Sequence, residues 1–319
     1  MLRVDILNQD VWELGLEGNI FFVSEGCKIS GAMERVEKEF YPNICEVLSR
    51  HKFSGKLGET FTLTAPVNGQ LAQFVFIGIG SMEHTPHENM ERLRRAIGSS
   101  VKELRRLEIK RAALEFESLD ASKYGLEKDE LLKQLVTTFN MSGYSFDKFK
   151  SKKNGSSWTG SLSISVKNMD DSLSSKALFE GRIIGEACNF TRHISDMPPN
   201  IATPEYVSEQ AKQLAEKFGF KCLSFGRDRA EELGMGGFLA VDEGSDKEGK
   251  FLEMTYSCGK PDAKTIALVG KGVTFDSGGI SLKPANYMKG MKYDMSGAAA
   301  VIGAMQAIAQ LKPNENVVG

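Results

Sequence analysis

The chain has 319 residues, 41% of them hydrophobic and 26% charged, with a net charge of −2; this is ordinary globular composition and enough length for two domains. Near-neutral charge provides no global field for nucleic acid or an anionic membrane surface. The N-terminal MLRVDILNQDVWELG has acids where a secretory signal needs an unbroken apolar core, and no run approaches the ~20 apolar residues of a membrane helix, so a cytoplasmic protein with no membrane partner is expected.

Strand-rich runs cover residues 19–24 and 60–65, with a stronger one over 73–79. From Met90 the residues Met90, Leu93, Ile97, Val101 and Leu104 recur at steps of three and four, which predicts one face of an amphipathic helix. A strand over 111–116 and a helix from about residue 126 to 139 follow. The stretch KSKKNGSSWTG at 150–160 is basic, small and turn-rich, marking the edge of a first domain.

A strand over 161–166 precedes one long helix, from 172 to about 195, which Pro198 and Pro199 stop. Thr203-Pro204-Glu205 opens another helix with a capping threonine, proline at its first position and an acid near the positive dipole end. Strands are predicted over 221–225, 238–241, 252–257 and 265–269. The continuous apolar run Ile266-Ala267-Leu268-Val269 suits a strand buried on both faces. An alanine-rich helix spans 296–311, with Asp294 just before it.

This alternation predicts an α/β chain of two domains, each a mainly parallel or mixed sheet flanked by helices. The expected division is an N-terminal α/β domain over 1–160, a linker strand and interdomain helix over 161–195, and a second domain over 196–319.

The five cysteines, Cys27, Cys45, Cys188, Cys222 and Cys258, are scattered and form no CxxC pair, so reduced, mostly buried thiols are expected. The four histidines form no HExxH, and His84 and His87 flank Pro86 in a predicted surface loop. Gly270-Lys271-Gly272 is not a phosphate-binding loop, because position 272 is neither Ser nor Thr. Arg92, Arg94, Arg95, Lys102, Arg105 and Arg106 interleave with Glu88, Glu91 and Glu103, the pattern of a solvated helix face.

Residues 271–294 concentrate the chemistry. Lys271 follows an apolar strand, where α/β enzymes place their sites. Asp276 lies in a Ser-Gly-Gly turn that lets ions and backbone come close, and Asp294 lies at a helix entry. Carboxylates suit Mn²⁺, Mg²⁺ or Zn²⁺, and one aspartate can bridge two ions. The alternative is that Asp276 and Asp294 are turn and capping residues whose neighbouring lysines form surface ion pairs.

The wording GKGVTFDSGGISLKP followed by MKYDMSGAAAVIGAM closely resembles the signature of the leucyl aminopeptidase family, the cytosol aminopeptidases of peptidase family M17. Tyr144-Ser-Phe-Asp147-Lys-Phe-Lys150 with Lys152 and Lys153 is similar to the end of that family's N-terminal domain. Thr191-Arg192 and Met197-Pro-Pro-Asn200-Ile-Ala-Thr-Pro204-Glu205 are similar to its junction with the catalytic domain.

The resemblance implies that residues 196–319 are the first part of a metal-dependent peptidase domain. It implies Lys271, Asp276 and Asp294 as metal ligands, Lys283 as the catalytic lysine polarising the scissile carbonyl, and Met291 as lining for the first substrate side chain. Two divalent ions, Mn²⁺ or Zn²⁺, would generate hydroxide near neutral pH to attack the peptide bond. Peptides with leucine-like N-termini are the implied substrates, and a hexamer the implied assembly.

The family's Asn-Thr-Asp-Ala-Glu-Gly-Arg segment, which supplies two more acids and an arginine holding bicarbonate, has no counterpart here. The chain is therefore expected to be truncated and inactive, the activity belonging to the full-length enzyme. A non-catalytic DNA-binding or regulatory subunit of the same family is the alternative, with the basic residues of 92–106 as its DNA contact.

Overall fold

A computed structural model of the chain describes residues 2–27, 31–151 and 159–319, in two units, Met1–Gly185 and Glu186–Gly319. Lys152, Lys153 and most of the basic stretch expected at the domain edge lie outside the described residues.

The first unit runs β1 (Arg3–Leu7), β2 (Gly18–Ser24), α1 (Ala32–Glu39), α2 (Ile44–Arg50), β3 (Thr60–Val67), β4 (Gln70–Gly80), α3 (Pro86–Arg106), β5 (Arg111–Glu115), α4 (Lys128–Ser142) and β6 (Ser161–Ser165). The division between units falls within α5 (Asp171–Asp196). The strands order as β1-β6-β5-β2-β4-β3 and pair in parallel, except for the antiparallel β3–β4 hairpin. That hairpin turns at Asn68-Gly69, where both residues have positive φ, as a tight hairpin turn requires.

Side-chain alternation in β4 explains why this sheet is buried on both faces. Val75 and Ile77 join one core with Leu93, Ile97 and Leu104 of α3 and with Leu132 and Phe139 of α4. Phe74 and Phe76 join the opposite core with Trp12, Ile44 and Leu48. Helix α3 begins four residues before the apolar stripe at Met90, because Thr85 and Glu88 form a reciprocal capping box with Pro86 at the first turn. The strand expected to act as a linker, β6, is interior to the sheet and pairs with both β1 and β5.

Cys27 and Cys45 correct the expectation of five reduced thiols: they form a disulfide, with Cα atoms 5.8 Å apart. The end of β2 and the start of α2 share one core, which brings together two residues far apart in sequence. Cys188, Cys222 and Cys258 are free and half-buried.

The second unit continues with α6 (Pro204–Phe218), β7 (Lys221–Phe225), α7 (Arg227–Glu232), α8 (Gly236–Asp242), β8 (Phe251–Tyr256), β9 (Thr265–Ala267), α9 (Ala285–Met288), α10 (Ser296–Leu311) and β10 (Asn316–Val318). Its strands order as β7-β8-β10-β9; β10 is parallel to β9, and the other pairings are antiparallel. One core joins Val207 and Leu214 of α6, Ile302 and Met305 of α10, and Met254 and Val317 of the sheet.

Two expectations fail in this unit. Residues 238–241 are helical, within α8. A short apolar run does not distinguish strand from helix, and here the helical turn sets Phe238 and Asp242 on one side, both against Gly249. Asp242, almost fully buried, then accepts from the Arg227 guanidinium at 2.8 Å. The run 266–269 is not buried on both faces: Ile266 is 48% and Val269 95% exposed. Strand β9 has a single described neighbour, β10, so its other edge meets no strand among the described residues.

Candidate active site

The end of β9 and the start of α10 meet backbone to backbone. Leu268 N–H donates to the Val318 carbonyl at 2.8 Å, prolonging the sheet toward Gly270. A Cβ at Gly270 would stand 2.4 Å from the Gly297 carbonyl oxygen, and a Cβ at Gly297 would stand 2.9 Å from Lys271 N. The Lys271 carbonyl accepts from Ala298 N–H at 2.8 Å, so one of the free amides of the α10 first turn is spent on this junction.

This close approach places Lys271 beside Asp294, with Nζ 2.7 Å from Oδ2. Asp294 Oδ2 is sealed from solvent and makes no hydrogen bond of good geometry, so its contact with Lys271 is an ion pair. That contact with the carboxylate holds the Lys271 amine above the usual lysine range, against its partial loss of hydration; the Asp294 and Asp276 charges add to it.

The second pair is built by the glycine turn. Gly278 has φ +94, and a Cβ there would stand 2.3 Å from the Ser281 carbonyl oxygen. Gly278 N–H donates to Asp276 Oδ1 at 2.9 Å, and Lys283 N–H returns to the Ser277 carbonyl at 2.9 Å. The resulting loop carries Lys283 Nζ to 2.6 Å from Asp276 Oδ2 and 3.0 Å from Met291 Sδ. The Lys283 hydrogen bond is the main reason the Asp276 carboxyl sits below the usual range, with the Gly278 amide helping and the charges of Lys283 and Lys271 adding.

All five residues singled out in the sequence therefore fall in two adjoining groups, Lys271 with Asp294, and Asp276 with Lys283 and Met291. The turn and the ion pairs of the alternative reading are also present, but not its cap: Met295, not Asp294, stands at the N-cap of α10, and no side chain caps that helix. Sequence reading missed Gly270, Gly297 and Ala298 as the residues that join the segments; the glycines at 270 and 297 were its one available signal. It also missed Asp196, which accepts the Tyr293 hydroxyl at 3.2 Å.

A divalent cation fits these residues in kind. The sealed, hydrogen-bond-free Oδ2 of Asp294 beside an amine offers an oxygen and a nitrogen donor, and Asp276 adds a second carboxylate. The number is small: among the described residues no three His, Cys, Asp or Glu side chains converge as a metal centre. Two lysine charges already balance the two carboxylates, so an ion would have to displace the Lys271 proton. A cavity of about 80 Å³ lined by Phe116, Leu119, Lys128 and Met169 belongs to the first unit and is too small for a peptide.

Part of the basic face of α3 is engaged within the chain. Arg95 pairs with Glu91 at 2.9 Å and Arg106 with Glu103 at 2.7 Å, while Arg94 donates to Gln134. No described helix is long and apolar enough to cross a membrane.

Comparison with known proteins agrees along most of the chain. Residues 20–153 match the N-terminal domain of the cytosol aminopeptidase family, and residues 189–319 match its catalytic domain. A probable cytosol aminopeptidase of Persephonella marina is 35% identical over 299 residues, covering 94% of this chain and 59% of the relative. The cytosol aminopeptidase of Pseudomonas aeruginosa is 33% identical, covering 94% and 60%. The chain thus spans about three-fifths of the length of these curated relatives.

Among solved structures, the bottromycin maturation enzyme BotP in complex with Mn is 25% identical with a TM-score of 0.75, over 96% of this chain and 58% of that one. A tomato leucine aminopeptidase mutant has a TM-score of 0.83 over 100% of this chain and 61% of its own, at 20% identity, a likeness of fold.

Proposed function

Because the chain belongs to the cytosol aminopeptidase family, we propose that its second unit carries part of a metal-dependent site that removes N-terminal, leucine-like residues from peptides. The observation that supports this most is the pairing of a solvent-sealed Asp294 carboxylate oxygen with Lys271, beside Asp276 and Lys283. In this reading Lys271, Asp276 and Asp294 hold divalent cations, Mn²⁺ or Zn²⁺. Bound there, the cations supply Lewis-acid polarisation and lower the pKa of a water nucleophile.

The chain's own residues do the rest. The Lys283 ammonium would donate to the scissile carbonyl oxygen and stabilise the charge that develops on it. The Met291 thioether, an adaptable apolar surface, packs against the first substrate side chain. The Asp276 carboxyl, already held in its ionised form, is ready to bind a cation without losing a proton first.

Two carboxylates are few for two divalent ions. We therefore assign turnover to the protein in which further acidic donors join these, and none to these 319 residues alone. No structural observation favours the DNA-binding reading over this one.

The test is Mn²⁺ calorimetry together with leucine-p-nitroanilide hydrolysis, with and without EDTA. Mn²⁺ uptake weakened at least about ten-fold by Asp294→Asn supports the site; uptake unchanged in the Asp276→Asn, Asp294→Asn double variant overturns it. Metal-dependent hydrolysis by the 319-residue chain, abolished by Lys283→Ala, would show that its own residues complete the site.

A further inference from the structure

The 3-10 turn Met291–Tyr293 links the two halves of the site, with Met291 against Lys283 at one end and Asp294 against Lys271 just after the other. On its own it is weakly determined. It has no buried residue, and it is closed by Tyr293 N–H to the Gly290 carbonyl at 3.0 Å and Asp294 N–H to the Met291 carbonyl at 3.3 Å. A single turn orders several dihedrals for few hydrogen bonds, so an isolated one does not hold its shape in water.

What steadies it comes from α5. Asp196, the last residue of that helix, accepts the Tyr293 hydroxyl on Oδ1 at 3.2 Å, and its backbone carbonyl accepts the Lys292 ammonium at 3.0 Å. Lys292 Nζ also lies 4.5 Å from the centroid of the Tyr293 ring, so the two contacts form one clasp. The anchor is rigid: Ile194, two residues before Asp196, and Met295, the residue after Asp294, are fully buried in the same core. The clasp therefore spans two points rooted in packed side chains and fixes the otherwise loose turn between them.

We propose that Asp196 is a positioning residue: through Tyr293 it sets where Asp294 and Met291 stand, and so the affinity of the site for its cation. This rests on the reading of Lys271, Asp276 and Asp294 as ligands. The contacts of Asp196 with Tyr293 and Lys292 reach the site through the turn.

The experiment compares wild type with Asp196→Ala, Asp196→Asn and Tyr293→Phe, measuring Mn²⁺ affinity by calorimetry and amide exchange at residues 293 and 294. Asp196→Asn keeps an acceptor for the Tyr293 hydroxyl and is the rescue. The expected result is a Kd for Mn²⁺ raised about ten-fold in Asp196→Ala and Tyr293→Phe and within about two-fold of wild type in Asp196→Asn. Exchange at 293 and 294 should quicken about ten-fold in the first two variants, with thermal unfolding unchanged. Exchange that is no faster in Asp196→Ala, or Mn²⁺ affinity lost equally in Asp196→Asn, overturns the proposal. Wild-type protein that takes up no Mn²⁺ overturns the metal reading instead, and the exchange rates then decide the clasp by themselves.

Discussion

Gly270 and Gly297 touch through their backbones: a methyl group on Gly270 would stand 2.4 Å from the Gly297 carbonyl oxygen. The neighbours of each glycine in the chain, Lys271 and Ala298, are hydrogen-bonded across the same junction at 2.8 Å. Strand end and helix start are thus joined where Lys271 must face Asp294.

Gly270→Ala and Gly297→Ala should each destabilise the second unit. In a helix alanine gains up to about 1 kcal/mol over glycine, but at 297 the added Cβ meets Lys271 N at 2.9 Å, and backbone cannot yield as a side chain can. Overpacking of about 1–3 kcal/mol outweighs the propensity gain. Urea denaturation should give a lower midpoint for both variants, and Mn²⁺ calorimetry a weaker uptake.

Lys283→Ala should act on the chemical step. In a protein with the complete donor set, kcat falls by about 10²–10³ while KM changes little, because the ammonium is assigned to charge that appears only in the transition state. Steady-state kinetics on leucine-p-nitroanilide separate the two; a loss confined to KM would remove Lys283 from that role.

The disulfide should matter for the first unit. Cys27 and Cys45 are separated by 18 residues, a loop whose closure stabilises by about 3 kcal/mol in the chain-entropy account. Thermal unfolding with and without a phosphine reductant should show the difference in wild type and none in Cys45→Ser, with alkylation and mass spectrometry counting the thiols.

Stability should fall in acid partly through Glu103. The Arg106 hydrogen bond holds its carboxyl below the usual range against the cost of burial, with the Arg106 charge and the Thr62 hydroxyl assisting. A depressed folded-state value means the contribution is complete above the unfolded value of about 4.3 and is lost as pH drops through the folded one. Melting temperatures from pH 6 down to pH 3 should decline less steeply in Glu103→Gln; parallel curves would exclude Glu103 as a contributor.

Much of the architecture is legible in local patterns. The stripe from Met90 to Leu104, the alternating residues of β4 and the alanine-rich α10 declare themselves because their periods are those of helix and strand. The cluster from Lys271 to Asp294 is legible for a similar reason: Gly-rich turns and ionisable groups crowd within a few residues after an apolar strand. Where the sequence misled, the deciding partner lay outside the run being read. Phe238 and Asp242 took a helical turn that meets Gly249 and Arg227, and Ile266 is exposed on β9, which among the described residues pairs with β10 alone.

By itself, then, the sequence determined the α/β alternation, the family and the candidate ligands, since each depends on the order and spacing of neighbouring residues. Tertiary structure decided that Lys271 faces Asp294 while Lys283 faces Asp276, that Cys27 meets Cys45, and that Asp196 clasps the turn before Asp294. Apart from the loop contact of Lys283 with Asp276, those contacts join separate segments of the chain, and which of them meet is set by how the sheet and its helices pack, an outcome that no local pattern encodes.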